Sequence, residues 1–403
     1  LLVAVETALN LGVSSLPTTS RTAYVKDNQD TRRLAESIKC DTFYRVEKGD
    51  SKTKNDGAWM HFPSVSLFSS TASADLSKLF KKLGCESSTN AYSITGSTPL
   101  IDSLFSVKYG LYPQEQPDSG LQTFLAQENE TWLYENKYTL PLGFLVNRDF
   151  FLRWELDNSK PADVQNSLAD AIGADQVLEM MMDVADDGAS MSFTPEQSGL
   201  YYAYVRNKKV EKVSADTWNG SRTFTNTDRG YLLELGWCVS GEEVVLTAEE
   251  TSEPLDASVY RFSEPGLRSV YDRLSEQPWT LTSWTDSTLE GTITCKASGV
   301  MMTTIPYDKG WKIFVDGEEQ TAEKVLDAFI GVDLTPGEHT ISMKYFPEGL
   351  MPGAWITVGS IVILLMIFGT VRLFRNARLY EQKHGQNQQN QSDGEEDHEN
   401  DIK

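Results

Sequence analysis

The sequence predicts an α+β protein: an extracytoplasmic α/β domain, then a β-sandwich or jelly-roll domain, then a C-terminal transmembrane helix. Three observations predict it. Residues 22–128 alternate strand-like and helix-like stretches. Residues 190–345 hold many short strands, with Gly and Pro turn signals every 8 to 15 residues. Leu350 to Val371 is a run of 22 residues without a charge.

Composition sets the outer limits. The chain has 403 residues, 40% of them apolar, enough to form a core. Its net charge of −22 excludes a general nucleic-acid binder, which needs a Lys/Arg surface to meet phosphates. Four cysteines exclude a disulfide-dense scaffold and a Cys-rich zinc array, and four scattered histidines form no metal cluster in sequence.

Residues 1–13 carry nine apolar side chains and one charge, Glu6. The stretch has no basic n-region and is too short to span a bilayer, so it reads as the exit end of a longer transmembrane helix. Residue 1 is Leu, and the chain reads as part of a longer product.

Residues 14–128 are expected to form the α/β domain. Thr22 to Lys26 reads as a strand. Asp30 to Lys39 reads as a helix opened by an acidic residue, which suits the helix dipole. Strands follow at Asp41 to Val46 and Val65 to Ser69. Ser73 to Leu83 is amphipathic, with Leu76, Leu79, Phe80 and Leu83 on one face and Gly84 as its stop. Ser97 to Phe105 reads as a capped helix with Pro99 in its first turn.

The pattern changes at about 129, and residues 129–347 read as the β-rich domain with a helical insert near 161–172. Asp316-Gly317 is a two-residue hairpin signal, and Pro336-Gly337 suits a type II turn. Ile341, Met343 and Tyr345 alternate with polar residues, as in a half-buried strand.

Residues 350–373 form the expected span. In a helix the run Leu350 to Val371 covers about 30 Å, the thickness of bilayer hydrocarbon. Arg372, Arg375 and Arg378 follow it, so the positive-inside rule places the C-terminus in the cytoplasm and residues 14–347 outside. Residues 374–403 are Gln/Asn/acid-rich with few apolar side chains, and a disordered cytoplasmic tail is expected.

Catalytic patterns are absent from the sequence: no Walker loop, no Gly-x-Gly-x-x-Gly, no Gly-x-Ser-x-Gly and no His-Glu-x-x-His. Asp183, Asp186 and Asp187 are weak candidates for a calcium loop, but they miss EF-hand spacing, and a solvated turn explains them better. Tyr201, Tyr202, Tyr204, Trp279 and Trp284, with Trp218 and Trp311, carry two readings: platforms for stacking a glycan, or core packing, the commoner fate of aromatics in a β-domain. Tyr202 and Tyr204 share one strand face and Tyr201 takes the other, so at least one set is expected to be buried. An outside location permits disulfides Cys40–Cys85 and Cys238–Cys295; four reduced buried thiols are the alternative.

Three segments carry a resemblance. The first is Leu100 to Leu111, LIDSLFSVKYGL, a Leu-rich helix ending in Lys108-Tyr109. The second is Tyr134-Glu135-Asn136 followed by Leu140-Pro141-Leu142-Gly143-Phe144. The third runs from Ile305-Pro306-Tyr307 through Gly310-Trp311 to Asp316-Gly317, then Gly337-Glu338-His339 and Tyr345, with Gly349 and Gly353 leading into the span. The chain thereby resembles the YfhO family of bacterial polytopic membrane proteins, over essentially its whole length.

The resemblance implies a GT-C-like glycosyltransferase of the bacterial plasma membrane. Such an enzyme takes a sugar from a polyprenyl-phosphate carrier and places it on an envelope polymer such as lipoteichoic acid. The resemblance places the catalytic carboxylate, with any divalent metal, early in the full protein, so no catalytic residue and no cofactor is expected in this chain. A different class of function also fits: a non-enzymatic, membrane-anchored surface module that binds a glycan or a protein.

Overall fold

Ser73 shows how local sequence sets an element. Its side chain accepts from the Leu76 amide at 3.4 Å, satisfying a first-turn donor, and the helix Ala74–Lys82 follows with Leu76, Leu79 and Phe80 buried. Asp75 lies in its first turn and Lys81 and Lys82 in its last, each complementing the helix dipole. Gly84, at φ 89, turns the chain away where a side chain would be strained.

The computed structural model describes residues 5–6, 25–185 and 188–400. Residues through Lys344 form one compact unit, and those from Tyr345 form a second. The first unit opens with the helix Asn28–Ser37, close to the expected span. Of the strand expected at Thr22 to Lys26, residues 22–24 lie outside the described residues; Val25 is helical and Lys26 is in a turn. The helix end expected over residues 1–13 also lies outside them, apart from Val5 and Glu6, which are helical and exposed.

A four-stranded sheet orders Arg45–Lys48, Val107–Tyr112, Thr131–Asn136 and Gln122–Glu128, with only the first pair parallel. The helices Asn28–Ser37 and Asp56–Met60 cover it, and Leu34, Met60, Val46, Tyr109, Leu111 and Leu133 share their core. The boundary expected at 128/129 falls in the turn of a hairpin, where Glu128 pairs with Thr131 and Asn129 takes φ 49.

Two pairs of sheets follow. In the first, Leu233–Cys238, Gly199–Val205, Asp256–Phe262 and Leu178–Ala185 form one sheet; Ser190–Phe193, Val244–Ala248, Lys212–Thr217 and Gly220–Thr225 form the other. Tyr201, Ala203 and Val259 of one sheet meet Val213, Ala215 and Leu246 of the other in a single core. In the second pair, Ile293, Ile313, Ile341 and Met343 meet Met301, Ile330 and Val332 across the two sheets.

The outer face of each pair is closed by a third cluster. There the helices Pro161–Ala171 and Glu264–Leu274 pack on Tyr202, Tyr260 and Phe262, while Phe80 and Phe105 pack with Phe329 and Val300. This shared cluster makes residues 25–344 one body. The expected insert near 161–172 is the helix Pro161–Ala171, started by Pro at its N-terminus. The expected hairpin at Asp316-Gly317 also forms: φ is 54 and 86 at the two positions, as a type I′ turn requires.

The cysteine pairs permitted by the sequence do not form, and all four thiols are free. Cys238 and Cys295 belong to different sheet-pair cores, and Cys85 belongs to the central cluster while Cys40 packs against the first sheet.

The second unit is the helix Leu350–Asn400. Its stretch Leu350–Gln382 is long and apolar enough to cross a membrane, with mean hydropathy 2.3 over its most apolar part. Its large apolar side chains, from Trp355 to Phe374, are exposed on every face, as lipid contact requires. The segment expected to be without structure from 374 continues as helix to Asn400. Gln, Glu and Lys have high helix propensity and can extend a helix without burying anything.

Candidate functional site

Between the first four-stranded sheet and the hairpin Lys212–Thr217/Gly220–Thr225 lies a cleft of about 670 Å³. Its walls carry the carboxylates Glu47, Asp50, Glu86, Asp102, Glu115 and Glu234 and the cations Lys48, Lys52, Lys54 and Arg222. Neutral polar groups, aliphatic side chains and aromatic rings, Tyr112, Tyr202 and Trp237 among them, complete its lining.

The floor is built by close backbone approach. Tyr112 ends its strand with the ring folded over two glycines: a Cβ on Gly110 would lie 2.5 Å from the ring, and one on Gly49 2.9 Å from it. The Tyr112 hydroxyl accepts from Gln122 Nε2 at 2.7 Å, which also donates to Asn136 Oδ1 at 2.8 Å. Asn136 Nδ2 then donates to the Val107 carbonyl at 2.8 Å. This chain fixes both amides in orientation.

Asp102 reaches the floor from the helix Pro99–Leu104. Ser97 Oγ donates to its Oδ1 at 2.7 Å. Burial raises its carboxyl to about 7; the Ser97 bond opposes this, and Glu234 and Glu47 add to it by repulsion. Glu234 points from the strand Leu233–Cys238 into the cleft, where it touches water yet is enclosed by protein. Enclosure raises its pKa, and Arg222 opposes this. Among the described residues no hydrogen-bond donor reaches its carboxylate. The Tyr202 hydroxyl is pushed up by burial first, then by Glu234, Asp102 and Tyr112, so these four groups sense one another.

Glu47, Lys48, Asp50, Lys54 and Glu86 are engaged. Glu47 accepts from Ser64 Oγ at 2.8 Å and from the Ser66 amide and hydroxyl at 3.1 Å each. Lys48 pairs with Asp50, and Lys54 Nζ donates to Glu86 Oε2 at 2.6 Å and to Ser93 Oγ at 3.1 Å. Arg229 holds the other Glu86 oxygen at 2.8 Å. In the turn of the hairpin, Thr217 and Asn219 line the cleft, while Trp218 between them is 52% exposed and its Nε1 donates to the Trp237 carbonyl at 2.9 Å.

The candidate residues from the sequence scatter. Tyr201 is buried between two sheets, and Tyr202, Tyr204 and Trp279 are buried too. A buried ring has no free face for a sugar, so these four are corrected to core residues, with Tyr202 showing only its edge of the cleft floor. Trp284 is partly exposed and packs edge-on to Phe43 at 6.4 Å. Asp183 is bound by Lys160 at 3.0 Å, by Ser258 at 2.9 Å and by Arg206, a set of donors and cations that occupies a would-be ligand. Asp186 and Asp187 lie outside the described residues. Among the described residues, no group of three His, Cys, Asp or Glu comes together to hold a metal.

Strand register joins Lys108, Tyr109 and Glu135: Tyr109 pairs with Glu135, and Lys108 Nζ lies 3.4 Å from Glu135 Oε1 and 3.4 Å from Cys40 Sγ. Asn136 of the second family segment lines the cleft, as do Asp102, Val107 and Gly110 of the first. Pro141 precedes the strand Gly143–Val146, and Pro306 ends the strand Gly299–Pro306, with Tyr307 and Trp311 half-buried against the second sheet pair. Gly310 donates its amide to Asp308 at 2.8 Å in the turn before Trp311. His339 Nδ1 meets Asp316 Oδ2 at 2.8 Å, bracing the Asp316-Gly317 turn, and Gly337 and Tyr345 bound that strand. Asp102, Tyr112, Gln122 and Glu234 carry no motif that marks them, and only topology brings Glu234 to the other three.

A family profile described as "Bacterial membrane protein YfhO" matches residues 1–187 and 174–357. The chain belongs to the YfhO family. The "Uncharacterized protein YfhO" of Bacillus subtilis (strain 168) is 23% identical over 222 residues, 52% of this chain. The chain spans only 24% of that relative's length. Among solved structures, arabinofuranosyltransferase AftD from Mycobacteria is 15% identical over 40% of this chain and 13% of its own, at a TM-score of 0.17. A second structure of AftD covers 39% of this YfhO-family chain and 12% of its own, at the same TM-score of 0.17.

Proposed function

We propose that this chain is the extracytoplasmic portion and final span of a polytopic membrane glycosyltransferase of the bacterial plasma membrane. That enzyme moves a sugar from a polyprenyl-phosphate carrier to an envelope polymer such as lipoteichoic acid. Membership in a family of bacterial membrane proteins is the observation that carries the reading, and the apolar helix Leu350–Gln382 supports it. The two sheet pairs are read as β-sandwiches, and the helix beyond the span as lying in the cytoplasm.

The physical logic is where the donor lives. A polyprenyl-linked sugar keeps its lipid in the bilayer, so its reacting carbon sits at the membrane surface. The catalytic carboxylate, and any divalent metal, must be held there by a multi-span region. One apolar helix is too little to build such a cleft for lipid. The folded unit of residues 25–344 is assigned the polymer side: holding the acceptor and raising its effective concentration.

Expressing the whole membrane protein, the same protein without residues 14–347, and residues 14–347 alone tests this. Envelope sugar modification is expected from the first only. Transfer by residues 14–347 alone would overturn it.

A further inference from the structure

The cleft holds charges of both signs that its own residues leave unanswered. Lys48 and Lys54 are closed into ion pairs with Asp50 and Glu86, and Lys52 donates to Asn28 Oδ1 at 3.2 Å. Arg222 lines the cleft as well. Its Nη1 lies 3.5 Å from the main-chain carbonyl of Glu234, and among the described residues it pairs with no carboxylate. Glu234 and Glu115 meet no hydrogen-bond donor among the described residues, and Asp102 meets only Ser97. Arg222 and Glu234 thus sense each other across the cleft without closing into a pair.

A second observation is independent of this balance. Tyr202 lines the cleft, its side chain is 1% exposed, and among the described residues its hydroxyl has no partner. Burial first, then Glu234 and Asp102, hold the proton on that hydroxyl, so its oxygen lies toward the two carboxylates. A buried hydroxyl left without a partner is costly, and a polar group of a ligand would remove the cost.

The chemistry of these groups defines the ligand. An ammonium has three donors and no acceptor, and two carboxylates with a hydroxyl oxygen satisfy it. A guanidinium fork matches a carboxylate. A bare metal ion fits less well, since among the described residues no three His, Cys, Asp or Glu converge. The cleft, at about 670 Å³, also suits an organic molecule better than a single ion.

We propose that the cleft binds a small amino-acid-type zwitterion, free or as a short peptide, with Glu234, Asp102 and the Tyr202 hydroxyl on its ammonium and Arg222 on its carboxylate. The site goes beyond the transferase reading and does not rest on it, because binding is read without any transfer.

The test is calorimetric titration of the full 403-residue chain in lipid nanodiscs. Alanine, dialanine and trialanine are each titrated with free ends, with an acetylated N-terminus and with an amidated C-terminus. At least one free-ended probe should bind, and blocking either end should weaken it about tenfold. The tightest free-ended probe separates a free amino acid from a peptide. Arg222→Gln should weaken the free-ended probe about tenfold and leave the amidated one unchanged. Glu234→Gln should weaken the free-ended probe and leave the acetylated one unchanged. A merely structural role would move both probes together. Thermal melts check that each variant folds, and the blocked probes on the parent decide the matter where one does not. No binding of any probe, blocked probes that bind like the free one, or folded variants that do not tell the probes apart would overturn the proposal.

Discussion

Thr98 Oγ1 donates to Gln165 Oε1 at 2.6 Å, and Gln165 Nε2 donates onward to the Leu83 carbonyl at 2.8 Å. Both side chains are fully buried. One amide thus ties the helix Pro161–Ala171 to the start of one earlier helix and the end of another. Gln165→Ala would strand a buried hydroxyl and a buried carbonyl. It should cost about 3 kcal/mol in stability. Denaturant melts should show the loss within a single transition for residues 25–344. Two separated transitions would count against the shared core.

Asp102 gives a pH signature. Its folded-state pKa is raised to about 7 from 3.8 by burial. The folded state therefore holds this proton more tightly than the unfolded chain does. Its contribution to stability is full below about pH 4 and is lost as pH rises toward 7. Asp102→Asn keeps the Ser97 partner and removes the titration. The variant should gain stability over the parent as pH rises from 4 to 7. Thermal melts across that range check it, and a difference independent of pH would refute it.

His339 shifts in the same direction, but because its charged form is favoured. Its pKa is raised from 6.5, first by the hydrogen bond to Asp316, then by the Thr335 carbonyl. The protonated ring's contribution is fully present below the unfolded value and fades as pH climbs through the raised folded one. His339→Gln should therefore destabilise the protein at pH 6 more than at pH 9. Parallel melts of parent and variant at the two pH values read this out.

Trp279, not Trp311, is the deeply buried tryptophan of the second sheet pair. Trp279→Ala should cost about 3–5 kcal/mol, as core aromatic deletions do. Trp311→Ala, at a half-buried strand start, should cost clearly less. Equal losses in urea melts would show that the packing is assigned wrongly.

Leu364 lies mid-way along the apolar stretch of the C-terminal helix. Leu364→Arg should add about 2.5–3.5 kcal/mol to insertion and move the chain into the soluble fraction on alkaline extraction. Full retention in membranes would argue that this helix does not cross.

What the sequence showed was mostly local. Ser73, Pro99, Pro161 and Asp316-Gly317 each announce an element through a cap, a fixed φ or a turn, and each element formed. The charge-free run before Arg372 announced the long apolar helix in the same way. What stayed hidden was long-range. The pattern shift near 129 is a real change in local periodicity, but it falls inside a hairpin, because strand pairing does not respect it. Of the aromatics that could stack a glycan, Tyr201, Tyr202, Tyr204 and Trp279 are core, since alternation says which face a ring takes and not what covers that face. The cleft was invisible: Asp102 and Glu234 are far apart in sequence, and nothing near either one signals the other.

The four free thiols carry a consequence for how this protein is made. No covalent link holds the sheet pairs shut, so their closure depends on packing alone and calls on no oxidoreductase. The chain can reach the same fold whether the surrounding compartment is oxidising or reducing. Anaerobic growth, or loss of a host's thiol-oxidation machinery, should leave its assembly untouched.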